Sequence, residues 1–181
     1  RLTDNTDGGI CKEGILMNIY LCGFMGCGKT TIGKLLAREF DYSFIDLDEY
    51  ITKKTGKSIP EIFEQHGERY FRELESTSIS ELTDNNSVIS TGGGALVSIS
   101  NATKAKHHGR IIFINTSFNI CYNRISGDEK RPLAKNKSKA ELYELYKKRL
   151  PYYITHCDYE VDGNDSPEDI VRDIKKILQT K

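Results

Sequence analysis

The sequence predicts an α/β fold, a parallel sheet of five strands layered between helices, and three observations predict it. From Met17 onward, short β-branched or aromatic runs alternate with amphipathic segments, the pattern of βα units. A glycine-rich loop joins the first such run directly to the first amphipathic segment. No repeat or long linker interrupts the alternation, and 181 residues suit one compact domain, expected over 17–181.

The strand candidates are 18–22, 43–48, 87–91, 110–115 and 159–162. Between the first two, a helix over 29–40 places Ile32, Leu35, Leu36 and Phe40 on one face, as a helix covering a sheet requires. A longer helix is expected over 68–83. Ser58 with Glu61, Ser138 with Glu141, and Ser166 with Pro167 and Asp169 each read as a helix start, an N-cap followed by an acid three residues on. His107 and His108 beside Gly109 read as a helix C-terminal cap. The segment 127–139, GDEKRPLAKNKSK, has glycine and proline but no hydrophobic period. It is expected to be a mobile surface excursion, and its cations make it a candidate lid. Residues 1–16 are polar and aperiodic and are expected to be a disordered leader or an appended stretch.

Bulk properties exclude several classes of partner. The 26 basic and 26 acidic residues balance, so no global field argues for nucleic acid or a membrane surface. Five scattered cysteines without CxxC spacing fit a reducing compartment. No run approaches the 18 apolar residues of a membrane span. A cytoplasmic monomer acting on small molecules is expected. His66 and His156 have no metal-ligand spacing.

Gly23-Phe24-Met25-Gly26-Cys27-Gly28-Lys29-Thr30 matches GxxxxGK[ST] between a strand and a helix, the context that a phosphate-binding loop needs. Backbone N–H groups from Gly26, Cys27 and Gly28 through Thr31 would converge on nucleotide phosphates, where the helix N-terminus adds partial positive charge. Lys29 would hold the β- and γ-phosphates and the Thr30 hydroxyl would ligate magnesium. The plain alternative is a glycine-rich turn that binds nothing.

In Phe44-Ile45-Asp46-Leu47-Asp48, the strand period of two puts both aspartates on one side at the carboxyl edge of the sheet, where ligands of open α/β sheets bind. One could steady hydrated Mg²⁺ while the other orients or deprotonates an attacking hydroxyl. The bland alternative is that Asp48 only caps the next helix. Arg72 and Glu75 lie one helical turn apart and could face a common cavity or merely pair on the surface. Gly92-Gly93-Gly94 could be a tight turn, or a place where ligand approaches backbone. The strand before it ends in Ser90-Thr91 without an aspartate, so metal support would come from Asp46 or through water.

In order and spacing, GFMGCGKTT, FIDLDEYI, FRELE, STGGGAL, RPL and KKRLPYY resemble the motifs of the shikimate kinase family, over essentially 17–181. The resemblance implies a P-loop fold like that of nucleoside monophosphate kinases: a three-layer arrangement with a five-stranded parallel sheet, substrate-binding helices at about 48–83 and a helical lid at about 127–139. It implies ATP and shikimate as substrates and Mg²⁺ as cofactor. It assigns Asp48 as hydroxyl contact and catalytic base, and Asp46 as the magnesium-associated acid. Arg72 and Arg149 become the carboxylate clamp, for which a planar fork suits better than lysine. Gly92, Gly93, Gly94 and Phe71 line the pocket, with Glu75 holding the binding residues. Arg131 becomes the lid arginine over the transferring phosphate, and Arg124 packs over adenine, or else is a helix-terminal arginine in solvent. The loop 162–167 lacks the arginine that some members carry there, so base contacts from it are not implied. Another small-molecule kinase on this fold, for gluconate or a nucleoside monophosphate, and a nucleotide-binding module without chemistry are the rivals.

Overall fold

Every residue of Asn18–Cys22 (β1) is buried, as a strand covered on both faces must be, and β1 is the central strand of a parallel sheet. The protein is seen in a computed structural model that describes residues 17–84, 86–126 and 137–179. The other strands are Ser43–Asp46 (β2), Ser87–Ser90 (β3), Gly109–Asn115 (β4) and Tyr159–Asp162 (β5), in the order β2-β3-β1-β4-β5. All pairs are parallel, with Ile19 opposite Val88 and Arg110, and Ile112 opposite Tyr159. Edge strands β2 and β5 are only partly buried, consistent with their polar residues.

The helices are Lys29–Phe40 (α1), Leu47–Thr55 (α2), Ile59–Glu81 (α3), Ile99–His108 (α4), Phe118–Ile125 (α5), Lys139–His156 (α6) and Pro167–Gln179 (α7), with a 3₁₀ turn at Ala95–Val97. From β1 the chain moves outward to β2 through α1, then back through β3 and across to β4. Right-handed crossovers therefore put α1 on one face and α3, α4 and α6 on the other. α7 returns to pack against α1. Ile32 and Leu36 of α1 and Ile170 and Ile174 of α7 are buried, each such side chain stabilising by about 1.5–3 kcal/mol. The onward connections of the adjacent strands β1 and β3 run in opposite directions, to β2 and to β4, and between their carboxyl ends the edge opens a crevice.

The expected helix starts are present. Ser58 with Glu61 and Ser138 with Glu141 form capping boxes, and Ser166 accepts from the Asp169 amide. Three expectations change. The strand expected over 43–48 stops at Asp46, because Leu47 and Asp48 already belong to α2. The helix expected over 68–83 is the second limb of α3, which begins at Ile59 and kinks at Gly67. The strand expected over 110–115 begins one residue earlier, at Gly109, which is also the C-cap of α4 after His107 and His108, as expected; its backbone is extended (φ −176°), and the Asn18 carbonyl fills the space a Cβ would need. Residues 1–16, expected as a disordered leader or an appended stretch, and most of the expected lid (127–136), with Arg131 in it, lie outside the described residues. Of the remainder of that lid, Ser138 and Lys139 are the cap and first residue of α6.

Candidate active site

The loop between β1 and α1 turns on Gly26 (φ 81°) and Gly28 (φ 102°), dihedrals that side-chain-bearing residues rarely adopt. A Cβ at Gly26 would also stand 2.6 Å from the Cys121 carbonyl oxygen on α5. Gly28 is the N-cap of α1 and supplies no side-chain cap, unlike the N-caps of α2, α3, α4 and α6. The first-turn N–H groups of α1 thus lack a side-chain cap, as an anion-binding helix N-terminus requires. Lys29 is 9% exposed, and its ammonium folds over the loop, donating to the carbonyls of Gly23 (2.8 Å) and Phe24 (3.1 Å) and to Cys27 Sγ (3.5 Å).

Asp46 and Asp48 both line the resulting cleft, but not as neighbours on one strand face. Asp46 is the N-cap of α2: its Oδ1 accepts from the amides of Asp48 (3.1 Å) and Glu49 (3.4 Å). Its Oδ2 accepts from Thr30 Oγ1 at 3.1 Å, tying β2 to the phosphate loop. The capping role considered for Asp48 therefore belongs to Asp46, and Asp48 sits in the first turn of α2. The cleft holds about 500 Å³. Gly26, Gly28, Lys29, Thr30, Thr31, Gly92, Gly93 and Arg124 share its lining with the two aspartates.

The glycine triplet after β3 forms the seam between this cleft and a set of charged side chains. A Cβ at Gly92 would stand 3.0 Å from Glu75 Oε1 and 3.1 Å from Asp48 Oδ1. One at Gly93 would stand 3.4 Å from Arg149 Nη1, and one at Gly94 would stand 2.7 Å from Arg72 Cζ. Side chains from α2, α3 and α6 thus converge on three consecutive residues. Arg72 donates to Glu75 Oε2 (2.7 Å) and Glu68 Oε1 (2.9 Å), and its guanidinium carbon lies 5.4 Å from the Phe71 ring centroid. Phe71 is itself buried against Phe63, their centroids 4.9 Å apart. Arg149 is 8% exposed, and its Nη1 has no hydrogen-bond partner among the described residues. A buried guanidinium left this way is costly unless an anion meets it.

The family model described as shikimate kinase matches residues 25–179. The chain belongs to the shikimate kinase family. It is 42% identical over 161 residues to a shikimate kinase of Persephonella marina, covering 88% of this chain and 97% of that one. A Macrococcus caseolyticus shikimate kinase is 40% identical over 162 residues, covering 90% and 96%. The solved shikimate kinase from Acinetobacter baumannii in complex with shikimate superposes with a TM-score of 0.88 at 35% identity, covering 93% of this chain and 97% of that one. The family's reaction is ATP-dependent phosphorylation of shikimate, in aromatic amino acid biosynthesis. The gluconate and nucleoside monophosphate rivals fall with this assignment.

Within this shikimate kinase scaffold, Arg124 is exposed in the last turn of α5, and its Nη1 donates to the Gly26 carbonyl at 3.2 Å. It is a helix-terminal arginine, yet one fastened to the rim of the phosphate cleft. The loop 162–167 is held by Asn164, whose Oδ1 accepts from the Ser117 amide at 2.9 Å. Thr30 and Asp46 offer a hydroxyl and a carboxylate within hydrogen-bond distance of each other, hard oxygen donors that suit Mg²⁺. Among the described residues no group of three or more His, Cys, Asp or Glu could hold a metal by itself.

Electrostatically the triplet is crowded. Burial pushes the Glu75 carboxyl up to about 7, against Arg72, which lowers it. Asp48 adds to the rise and Arg149 opposes it. Burial also raises the Tyr153 phenol, whose hydroxyl donates to the Gly93 carbonyl. Glu68 and Tyr153 are site residues that sequence reasoning missed. Glu68 was legible as an i,i+4 partner of Arg72, and Tyr153 lay inside the KKRLPYY motif, but nothing local distinguishes it from Tyr152, which is half exposed.

Proposed function

We propose that the chain transfers the γ-phosphate of MgATP to the 3-hydroxyl of shikimate, giving shikimate 3-phosphate and ADP. The observation that carries this reading is the meeting of Arg72, Arg149 and Asp48 on the glycine triplet, of which Gly92 and Gly93 also line the phosphate cleft. A carboxylate between the two guanidiniums would be fixed by charge-assisted bonds. A hydroxyl of the same ring is then directed at Asp48, with Gly92, Gly93, Gly94 and Phe71 shaping the pocket. The phosphate loop from Gly26 through Thr31 and Lys29 binds the nucleotide phosphates, and Arg124 covers the base. Thr30 and Asp46 would hold the magnesium ion, which when bound offsets phosphate charge.

Asp48 takes the proton of the hydroxyl as its oxygen bonds to the γ-phosphorus. The bond from that phosphorus to the β,γ-bridging oxygen breaks, and ADP leaves with the electron pair. Lys29 exchanges its loop carbonyls for phosphate oxygens and stabilises the shifting charge. Holding both substrates in line supplies up to about 7–11 kcal/mol of the barrier reduction. Arg131 is assigned to the transferring phosphate on the RPL motif alone.

Residues 17–181 act as one kinase domain, with α2 and α3 as the substrate-binding helices, a lid within 127–137, and 1–16 as a leader or an appended stretch. A cytoplasmic monomer without nucleic-acid or membrane partners fits the balanced charge and the scattered cysteines. Among the described residues no helix is long and apolar enough to cross a membrane. An ADP-release assay offering shikimate, gluconate and nucleoside monophosphates tests the reading. Turnover with shikimate alone is expected, and turnover confined to another acceptor overturns it.

A further inference from the structure

Glu75 differs from every other carboxylate of the site. It is 1% exposed, its Oε2 accepts from Arg72, and its Oε1 has no hydrogen-bond partner among the described residues. The charged and titratable groups around it come from three helices. Arg72, itself shared with Glu68, faces it from α3; Asp48 from α2; Arg149, with Tyr153 beside it, from α6. Two guanidiniums therefore already serve three acidic side chains before any ligand arrives. Adding a substrate carboxylate to Arg72 and Arg149 draws their charge away from Glu75 and leaves a surplus of anions around a carboxyl that is 1% exposed. A carboxyl group relieves such a surplus by accepting a proton.

We propose that Glu75 takes up a proton when the carboxylated substrate binds, so that the arginine clamp changes its own charge to admit that of the ligand. The inference rests on the clamp assigned above to Arg72 and Arg149. It makes Glu75 a positioning residue: ionised, it holds Arg72 back; protonated, it releases guanidinium charge to the substrate while its neutral carboxyl keeps the hydrogen bond. The midpoint near neutrality that burial gives Glu75 puts the exchange in the working range of pH.

Calorimetric titration of the full chain with shikimate, in buffers of different ionisation enthalpy, tests this directly. Near pH 7 the heats should report uptake of about 0.4 proton per shikimate bound, for a midpoint that rises by about one unit on binding. The dissociation constant should then increase by up to about tenfold between pH 6 and pH 8.5. Glu75→Gln, a permanent mimic of the neutral carboxyl, should still bind shikimate but with neither proton uptake nor pH slope. Binding without uptake in the wild type, or uptake that persists in the variant, overturns the proposal. If the variant does not fold, the ¹³C-carboxyl resonance of Glu75 in the wild-type chain decides: its midpoint must rise on adding shikimate, and an unmoved midpoint refutes the coupling. Absence of binding heat in every buffer removes the clamp itself and is distinguishable from binding without protonation.

Discussion

The Arg72 guanidinium occupies the space that a side chain at Gly94 would need, its Cζ 2.7 Å from the position of a Cβ there. The backbone of Gly94 is in the right-handed helical region (φ −109°), which alanine adopts without strain. Gly94→Ala should therefore act through sterics alone. We expect the KM for shikimate to rise by about tenfold or more, equivalent to about 1.4 kcal/mol, with the KM for ATP nearly unchanged. Steady-state kinetics on both substrates check this, and an unaltered shikimate KM would remove the contact from substrate binding.

Arg72→Lys replaces a fork that reaches Glu68 and Glu75 together with a single ammonium. Shikimate should bind at least about tenfold more weakly, with little change in nucleotide affinity. Titration calorimetry measures both, and equal shikimate affinity in the two proteins is the outcome the clamp does not survive.

Asp48→Asn should lower turnover by about 10²–10⁴, the usual contribution of a general base, while ATP binding stays within about threefold. Single-turnover assays and nucleotide titration separate the two effects. Near-normal turnover would show that the proton goes elsewhere.

Asp46 combines a helix cap with a proposed metal contact, and two substitutions separate them. Asp46→Ala loses the bonds from the Asp48 and Glu49 amides and should cost about 1 kcal/mol of stability. Asp46→Asn retains an acceptor for those amides, so its Tm should stay near that of the wild type. Both should need more magnesium for half-maximal activity, and an unchanged magnesium requirement in the two variants would exclude Asp46 from the metal site.

Glu75 also leaves a mark on folding. Its carboxyl is raised from the ordinary 4.5 to about 7 in the folded protein, so the native state holds a proton that the unfolded chain releases earlier. Its contribution is fully present below about pH 4.5 and is lost as pH rises through about 7. Relative to Glu75→Gln, the wild type should lose at most about 3 kcal/mol across that window. Denaturant melts of both proteins at pH 5 and pH 8 test the sign: a gap that moves the other way on raising the pH contradicts the burial argument.

The two aspartates of FIDLDEYI show how far local pattern reaches. Both line the cleft, as the sequence reading expects, but through a different geometry. Alternation along a strand and the N-cap and N2 positions of a helix can each bring residues two apart near one edge, so spacing alone does not say where the strand ends. What ends it is the Asp46 carboxylate, which bonds the Asp48 and Glu49 amides and starts α2. Capping boxes at Ser58 and Ser138 were legible for the same local reason, since donor, acceptor and chain turn lie within four residues.

Sequence by itself determined the parallel βα order and the phosphate loop, because hydrophobic period, glycine dihedrals and helix starts are set by neighbours along the chain. It also raised Arg72 and the glycine triplet as candidates with plain alternatives open, and it gave them a role, and named Arg149 at all, only through resemblance of motifs. That Gly92 meets Glu75 and Asp48, Gly93 meets Arg149, and Gly94 meets Arg72 was decided by tertiary structure alone. The Tyr153 bond to the Gly93 carbonyl spans 60 residues, so no local pattern encodes it. Packing of α2, α3 and α6 over the sheet edge brings these groups together, where burial and mutual charge raise the Glu75 carboxyl.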